Sequence, residues 1–336
     1  MMHATPTVSL VIPGRNCAGT IRQCLDAVIA IQQDDPQTLQ EIIFVDDGST
    51  DDTAAIVSER SVTRLTGAGK GPGAARNLGW RAARSAYIWF VDADCVAEPD
   101  ALATLLPHIG DPKVGGVSGS YGTMTDHSLL SQLIHEEIVE RHRRMGRRVN
   151  FLATFNVLYR RDALQKVGGF DERFLKGQDA ELSFRVMKAG FDLHFDIASR
   201  VKHYHPTRLR SYLKTQRQQG YWRLFLHLDH KGHAMGDSYS GFSDHIQPPL
   251  AMLILASIPL IPFHPWRWIC ITLVILLAIA QSPMTWRLVR HTRQIRYIAF
   301  AGMSFIRAFW RGLGLSAGVI ARVLGRHRTP VQQSRA

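Results

Sequence analysis

Phe90-Val91-Asp92-Ala93-Asp94-Cys95 is the stretch that decides the fold. Tyr87 to Val91 is an apolar run of the kind that forms a buried strand, and it stops at two carboxylates one residue apart. A strand ending in Asp-x-Asp presents two oxygen ligands at the carboxyl edge of a sheet, where open α/β sheets bind ligands. Hard cations such as Mg²⁺ or Mn²⁺ take such ligands and share them with substrate phosphates. The same residues also suit an acidic turn that caps a following helix, and the surrounding chain is needed to separate the two readings.

Upstream, Val8-Ser9-Leu10-Val11-Ile12-Pro13 predicts a first strand, and the spacing of apolar residues from Ile21 to Ile31 predicts a helix. Glu41 to Val45 predicts a second strand, ending at Asp46-Asp47-Gly48-Ser49. Ser49 or Thr50 would cap a helix running through Glu59, with Asp51 and Asp52 in its first turn where the helix dipole favours them. Gly71 to Arg84 reads as a glycine-rich turn feeding a helix, with Arg76 near its start. Strand and helix alternate, so the expected class is α/β, a mostly parallel sheet with helices on both faces. Further on, strands are expected over 114–119, 151–159, 191–195 and 199–204, and helices over 129–144, 161–167 and 179–189, the last closed by Gly190.

The 336 residues are 46% hydrophobic and 20% charged, enough for a packed core. A formal net charge of +12 suits nucleic acid, an anionic membrane or nucleotide phosphates. Arginine gathers late in the chain beside its most apolar segments, which favours a membrane over nucleic acid. Cys17, Cys24, Cys95 and Cys270 form no zinc pattern, as expected of a reduced, cytosolic catalytic face. Residues 1–8 lack the basic and apolar regions of a signal peptide, so none is expected.

The expected division is a catalytic domain over 1–230, a polar linker over 231–247, an apolar hairpin over 248–282, a basic amphipathic helical region over 283–325 and a disordered tail over 326–336. The hairpin holds two apolar runs of about 15 residues each, around His264-Pro265-Trp266-Arg267. Each is shorter than the ~20 residues of a comfortable span, so transmembrane, re-entrant and buried soluble hairpins all remain open. Arg287, Arg290, Arg293 and Arg296 follow it, which by the positive-inside rule keeps both ends in the cytosol. Arg296, Arg307, Arg311 and Arg322 fall on one side of the last helical segment, the pattern of a helix lying in a membrane interface.

Five motifs in order carry a resemblance. VIPGRN (11–16), DDGSTDDT (46–53), GPGAARNLG (71–79), VDADC (91–95) and GGFDERFLKGQDAELSFRVMKAG (168–190) together resemble the family 2 glycosyltransferases of GT-A fold, over roughly residues 7 to 225. The resemblance implies a Rossmann-like catalytic domain, here followed by C-terminal membrane-associated helices. It implies that Pro13 and Asp47 contact the nucleotide base and ribose, with Asp46 as the neighbouring choice, that Arg76 approaches the nucleotide, and that Asp92 lies near the sugar and ribose. Asp94, with Asp92, would bind Mn²⁺ or Mg²⁺ bridging the diphosphate; His203 would sit near that metal, with His205 as the second choice. Asp179 is the expected general base, Glu181 a weaker one. Family members often carry Glu before the base, where this chain has Gln178. Asn156, Gln178 and Trp222 are the expected acceptor contacts.

The processive synthases of the family carry Q-x-x-R-W near Gln216 to Arg223, and this chain has Gln219-Gly220-Tyr221-Trp222-Arg223 instead. Single sugar transfer from a nucleotide-diphosphate sugar is therefore expected. It would invert the anomeric centre and use a lipid-linked or envelope-glycan acceptor at the cytoplasmic face of the cell membrane, without nucleic acid. The alternatives are a nucleotidyltransferase, for which Pro13-Gly14-Arg15-Asn16 is a poor signature, and a non-catalytic membrane scaffold, against which Asp92, Asp94 and Asp179 argue.

Overall fold

A computed structural model describes residues 6–122, 128–230 and 237–325. They fall into two compact units: 6–122 with 145–204, and 128–144 with 205–325.

The first unit is a mixed sheet covered on both faces. β1 (Val8–Gly14) lies between β2 (Leu39–Asp46) and β4 (Tyr87–Val91), parallel to both, and β3 (Thr63–Thr66) adds parallel to β2. β8 (Asn156–Arg160) runs antiparallel between β4 and β6 (Val114–Tyr121), and the long β9 (Asp192–His203) pairs with β6, with β5 (Cys95–Ala97) and with the short β7 (Arg148–Val149). The order is β3-β2-β1-β4-β8-β6-β9-β5. β1 is buried along its whole length, which accounts for its unbroken apolar reading.

One face packs under α1 (Ile21–Asp34) and α4 (Ala101–Ile109), around Leu10, Ile12, Trp89 and Val91. The other packs under α3 (Pro72–Ala82), α6 (Arg161–Val167) and α7 (Gln178–Lys188), around Val11, Phe90 and Tyr159. The short α2 (Thr53–Ser58) follows β2. Helical spacing turns Cys24, Leu25, Val28 and Ile31 of α1 to the core. Gly79 lets α3 lie close on the sheet, because a Cβ there would strike the Val11 side chain. In register, Gly14 lies opposite Asp46 and Val11 opposite Phe90, so β1, β2 and β4 all run out at one carboxyl edge.

The second unit is helical: α5 (Leu129–His142), α8 (Leu209–Asp229), α9 (Phe242–Ser257), α10 (Arg267–Thr292) and α11 (Ala299–Val323). Two apolar clusters hold it, one around Leu133, Tyr212, Leu288 and Phe300, the other around Ala251, Ile254, Cys270, Leu277 and Ala308. α8 and α11 meet backbone to backbone. A Cβ on Gly220 would collide with the carbonyl oxygen of Arg311, and one on Gly314 with that of Arg217. Backbone cannot swing aside as a side-chain end can. Gly220→Ala is expected to lower the stability of the full chain by about 1–3 kcal/mol, read as a fall in thermal midpoint in detergent; an unchanged midpoint would refute this packing.

Beside that contact lies a buried charge network. Glu137 accepts from Arg307 Nη1 at 2.5 Å and from Arg141 Nη2 at 2.7 Å, and Asp244 takes Arg141 Nη1 and Nη2 at 2.7 Å each. Burial alone would raise the Glu137 carboxyl, but the two guanidinium groups outweigh it and hold it at about 2, below its ordinary 4.5. A depressed folded-state pKa contributes stability above the unfolded value and loses it as pH falls through the window from 4.5 to about 2. The thermal midpoint is expected to fall more steeply across that window in the native chain than in Glu137→Gln. The variant itself should start about 3–5 kcal/mol less stable, because Arg307 loses its carboxylate. Parallel slopes would reject the assignment.

Several expectations need correction. Residues 128–144 and 205–230 pack with the C-terminal helices, so the catalytic unit is not continuous over 1–230. The linker is shorter than 231–247, since α9 starts at Phe242. The hairpin does not end at 282: α10 continues through Pro283 to Thr292, held by apolar partners of Leu277 before it and of Leu288 after it. α2 starts at Thr53 after Asp52, not at Ser49 or Thr50, whose polar groups instead meet Asn16. The strand expected over 151–159 forms only from Asn156. The two strands expected over 191–204 are one, β9, whose register with β6 shifts midway. Arg307 does not share an exposed face with Arg296 and Arg322; it is 3% exposed, drawn inward by Glu137. The expected disordered tail, 326–336, lies outside the described residues.

Candidate active site

The site forms where β1, β2 and β4 run out. Asp47 is buried, and its carboxylate accepts from the N–H groups of Gly71 (2.7 Å) and Lys70 (3.2 Å). Burial pushes its carboxyl upward. Asp47 thereby holds the turn into α3, where Gly71 adopts a positive φ of 101° that suits glycine. Asp46, also buried, accepts from Ser49 N–H at 2.9 Å. Pro13 is buried within β1 opposite Val45, and the exposed residues of that turn are Arg15 and Asn16.

Arg76, one turn into α3, is 3% exposed. Its Nη2 donates to Asp92 Oδ1 at 2.5 Å, and its guanidinium lies over the Phe170 ring, 5.6 Å from the centroid. Nε and Nη1 are buried without a partner. An unpaired buried donor of a charged group costs upwards of about 1–3 kcal/mol, so such an arrangement persists mainly where a ligand completes it.

Asp94 points the other way. Its side chain is 46% exposed, and Oδ2 lies 3.3 Å from His203 Nε2. β5 and β9 pair Cys95 with His203, which brings the two together. The ligand atoms of Asp94, Cys95 and His203 all lie within 4.8 Å of one another. The His203 ring sits 5.1 Å from that of Tyr121, which stacks on Phe155 at 4.0 Å. Burial would lower the His203 imidazolium, but the Asp94 carboxylate outweighs it and raises its pKa. The Cys95 thiol is pushed far up, chiefly by burial, and keeps its proton. A carboxylate oxygen and an imidazole nitrogen fit Mn²⁺ or Mg²⁺ better than the protonated thiol does. Their 3.3 Å separation is close to the ~3 Å between neighbouring ligands of an ion bound at about 2.1 Å.

Asp179 is the second residue of α7, half-buried, with Oδ1 accepting from Ala180 N–H at 2.9 Å. Beside it Gln178 is buried, and its Oε1 has no hydrogen-bond partner. A Cβ on Gly73 would stand 2.9 Å from that oxygen, so the first turns of α3 and α7 meet with no side chain between them. Asn77 ties the same elements: Nδ2 donates to the Phe170 carbonyl at 2.8 Å, and Oδ1 accepts from Phe170 N–H and Trp80 Nε1 at 2.9 Å each. Asp92, Arg76 and Phe170 are thus in contact in turn, and Gly73 of α3 lies beside both Phe170 and Gln178 of α7. Glu181 stands apart, locked to Arg185 at 2.5 Å.

Four expectations do not hold in this geometry. Asn156 is fully buried and spends its amide on Trp89 Nε1 and Ser199 Oγ, both at 2.9 Å, so it cannot meet an acceptor. Trp222 is 6% exposed in α8 of the second unit, its ring against Tyr221 and Phe225, and offers no open face. His205 does not share a strand face with His203, because β9 ends at His203; His205 is buried in the second unit, 3.4 Å from His135. Asp92 is turned to Arg76, outside the group formed by Asp94 and His203.

A model of the family described as "Glycosyl transferase family 2" matches residues 9–168. Glycosyltransferase AglE of Haloferax volcanii is 30% identical over 223 residues, covering 62% of this chain and 69% of the relative. The chain belongs to glycosyl transferase family 2. Among other family 2 relatives, the pre-mycofactocin glycosyltransferase of Mycobacterium tuberculosis is 29% identical over 222 residues, 61% of this chain and 44% of that protein. The chain spans about half the length of the curated relatives it matches, 44% of that protein and 50% of the probable glycosyltransferase YdaM of Bacillus subtilis, AglE being covered further. The mannosyltransferase PcManGT from Pyrobaculum calidifontis, solved in complex with GDP-Man and Mn²⁺, superposes with a TM-score of 0.53 at 18% identity, covering 96% of this chain and 87% of that one. That likeness supports the GT-A fold.

Sequence reading missed three supports of this family 2 site: Phe170 beneath Arg76, Asn77 pinning the loop, and Tyr121 against His203. Asn77 and Phe170 lie inside quoted motifs, so their positions were visible although their roles were not. Tyr121 gave no signal, since only strand pairing brings it to His203.

Proposed function

We propose that this chain transfers a single sugar from a nucleotide-diphosphate donor to a hydroxyl acceptor, with inversion at the anomeric carbon. The observation that carries the reading is the buried Arg76, paired with Asp92 while Nε and Nη1 stay unmet. Anionic or hydroxyl oxygens of a nucleotide sugar would complete those donors. Asp92 fixes the guanidinium plane, and Phe170 supports its face. Asp94 and His203 would hold a divalent cation, which when bound neutralises charge on the departing diphosphate. Asp179 lies at the N-terminal end of α7, where the helix dipole favours a carboxylate, and accepts the proton of the attacking hydroxyl. Gln178 puts no charge of its own beside that carboxylate and offers Oε1 to an acceptor hydroxyl. PcManGT, bound to GDP-Man and Mn²⁺, supports the donor and metal classes.

The acceptor in this reading is lipid-linked or part of an envelope glycan, because the second unit exposes many large apolar side chains suited to the cytoplasmic face of a membrane. The test is the product. Incubation with nucleotide sugars and Mn²⁺ should release nucleoside diphosphate; pyrophosphate would point to nucleotidyl transfer, and no turnover of any donor would reject catalysis. Arg76→Lys keeps the positive charge but loses the planar fork. It is expected to weaken donor binding about 10- to 100-fold by calorimetry, and unchanged affinity would remove Arg76 from the donor site.

A further inference from the structure

The second unit carries a surface that the sugar chemistry does not use. Residues 261–269, from the connection after α9 into the first turn of α10, are all exposed, and they include Ile261, Phe263, Trp266 and Trp268. α10 itself has a mean hydropathy of 1.9 in its most apolar 18-residue window, of which only 22% is buried. A core helix of a soluble protein would be mostly buried at that hydropathy. Ile271, Ile275 and Ile279 leave it at 40–60% exposure, while Cys270 and Leu277 turn to α9.

We infer that the α9–α10 hairpin crosses a lipid bilayer completely, with its tip in the headgroup layer on the face away from the Trp286 end of α10. This rests on the membrane reading given above and fixes its topology. The argument is spacing and charge. Trp268 and Trp286 are both more than half exposed, and the 18 helical steps from one to the other span about 27 Å. The hydrocarbon core of a bilayer is about 30 Å thick, and tryptophan favours its two boundaries. Charge follows the same boundaries. Arg267 stands just outside the first tryptophan, its guanidinium over the Trp268 ring, and Arg287 and Arg290 stand just outside the second. No Asp, Glu, Lys or Arg falls between Trp268 and Trp286. The larger arginine count at the Trp286 end places that end in the cytosol.

The return leg agrees. α9 begins beside the Asp244–Arg141 ion pair, a contact that belongs outside hydrocarbon, and Leu253, Leu255, Ile258 and Ile261 are exposed along the way to the tip. A re-entrant loop that turned at mid-membrane would instead leave Arg267 in hydrocarbon with no carboxylate on the tip to pair with it.

The test uses the full chain expressed in cells and a membrane-impermeant maleimide. His264→Cys and, separately, Pro262→Cys mark the tip; Arg290→Cys marks the other end of α10; the native chain reports labelling of its own four cysteines. Right-side-out and inside-out vesicles are labelled side by side, and detergent shows that each introduced thiol can react. The expected result is tip labelling confined to right-side-out vesicles and Arg290→Cys labelling confined to inside-out ones. Labelling of both positions from one face overturns the inference, as does a tip that reacts only in detergent or a chain recovered wholly in the soluble fraction. Because the readout needs no sugar transfer, failure of the topology and failure of the catalytic reading would be told apart.

Discussion

Asp179→Asn is expected to bind a nucleotide sugar with native affinity and to transfer its sugar about 10²- to 10⁴-fold more slowly. The reasoning is local. Asp179 sits at the start of α7, half-buried, and one carboxylate oxygen already accepts from Ala180 N–H. Asparagine keeps the size, and its amide oxygen keeps that bond, so α7 should still begin where it does. What disappears is the ability to take a proton from the attacking hydroxyl. In the proposed mechanism donor binding rests on Arg76 and on Asp94 with His203, which the substitution does not touch. Calorimetry with donor and Mn²⁺, set beside single-turnover transfer, separates the two effects. Retained transfer would reject the base assignment, and lost donor affinity would move Asp179 into the donor site.

The second large effect belongs to Asp94. Asp94→Asn replaces an anionic ligand with a neutral one that also carries an N–H₂ group. Among the described residues, Asp94 and His203 are the pair placed to supply oxygen and nitrogen donors at this point. The gain in donor affinity on adding Mn²⁺ should fall by about 100-fold or more, while the metal-independent affinity through Arg76 remains. His203→Gln should give the same sign with a smaller loss, since the carboxylate carries the charge. A full Mn²⁺ response in Asp94→Asn would place the cation elsewhere.

Much of this site could be seen in the chain because it is local. Asp92, Asp94, Arg76 and Asp179 each end a strand or open a helix, and strand runs, glycine turns and helix starts leave marks in sequence. The fold class followed from the same alternation. What could not be seen came from packing across the sheet. Asn156 looks like an ordinary polar residue at a strand start, and only the completed sheet buries it between Trp89 and Ser199. His203 and His205 look equivalent until the strand stops at the first of them. Arg307 fits the stripe of an interfacial helix, and its inward turn depends on Glu137, 170 residues earlier in the chain. Trp222 failed for a related reason: α8 gave little sign of its buried face, since its apolar and polar residues are not sorted by side.

That distance between Glu137 and Arg307 bears on how the protein can be taken apart. The chain leaves the sheet-bearing unit for α5, returns to it, and leaves again after Tyr204. No single cut can therefore separate the sheet-bearing unit from the helical one. A chain ending at residue 230 would keep α5 and α8 while discarding every helix that covers them, stranding Glu137 and Arg141 without Arg307 and Asp244. Under the proposed membrane topology, a water-soluble version would be better sought by recolouring the exposed apolar surface of α9 and α10 with polar residues than by shortening the polypeptide.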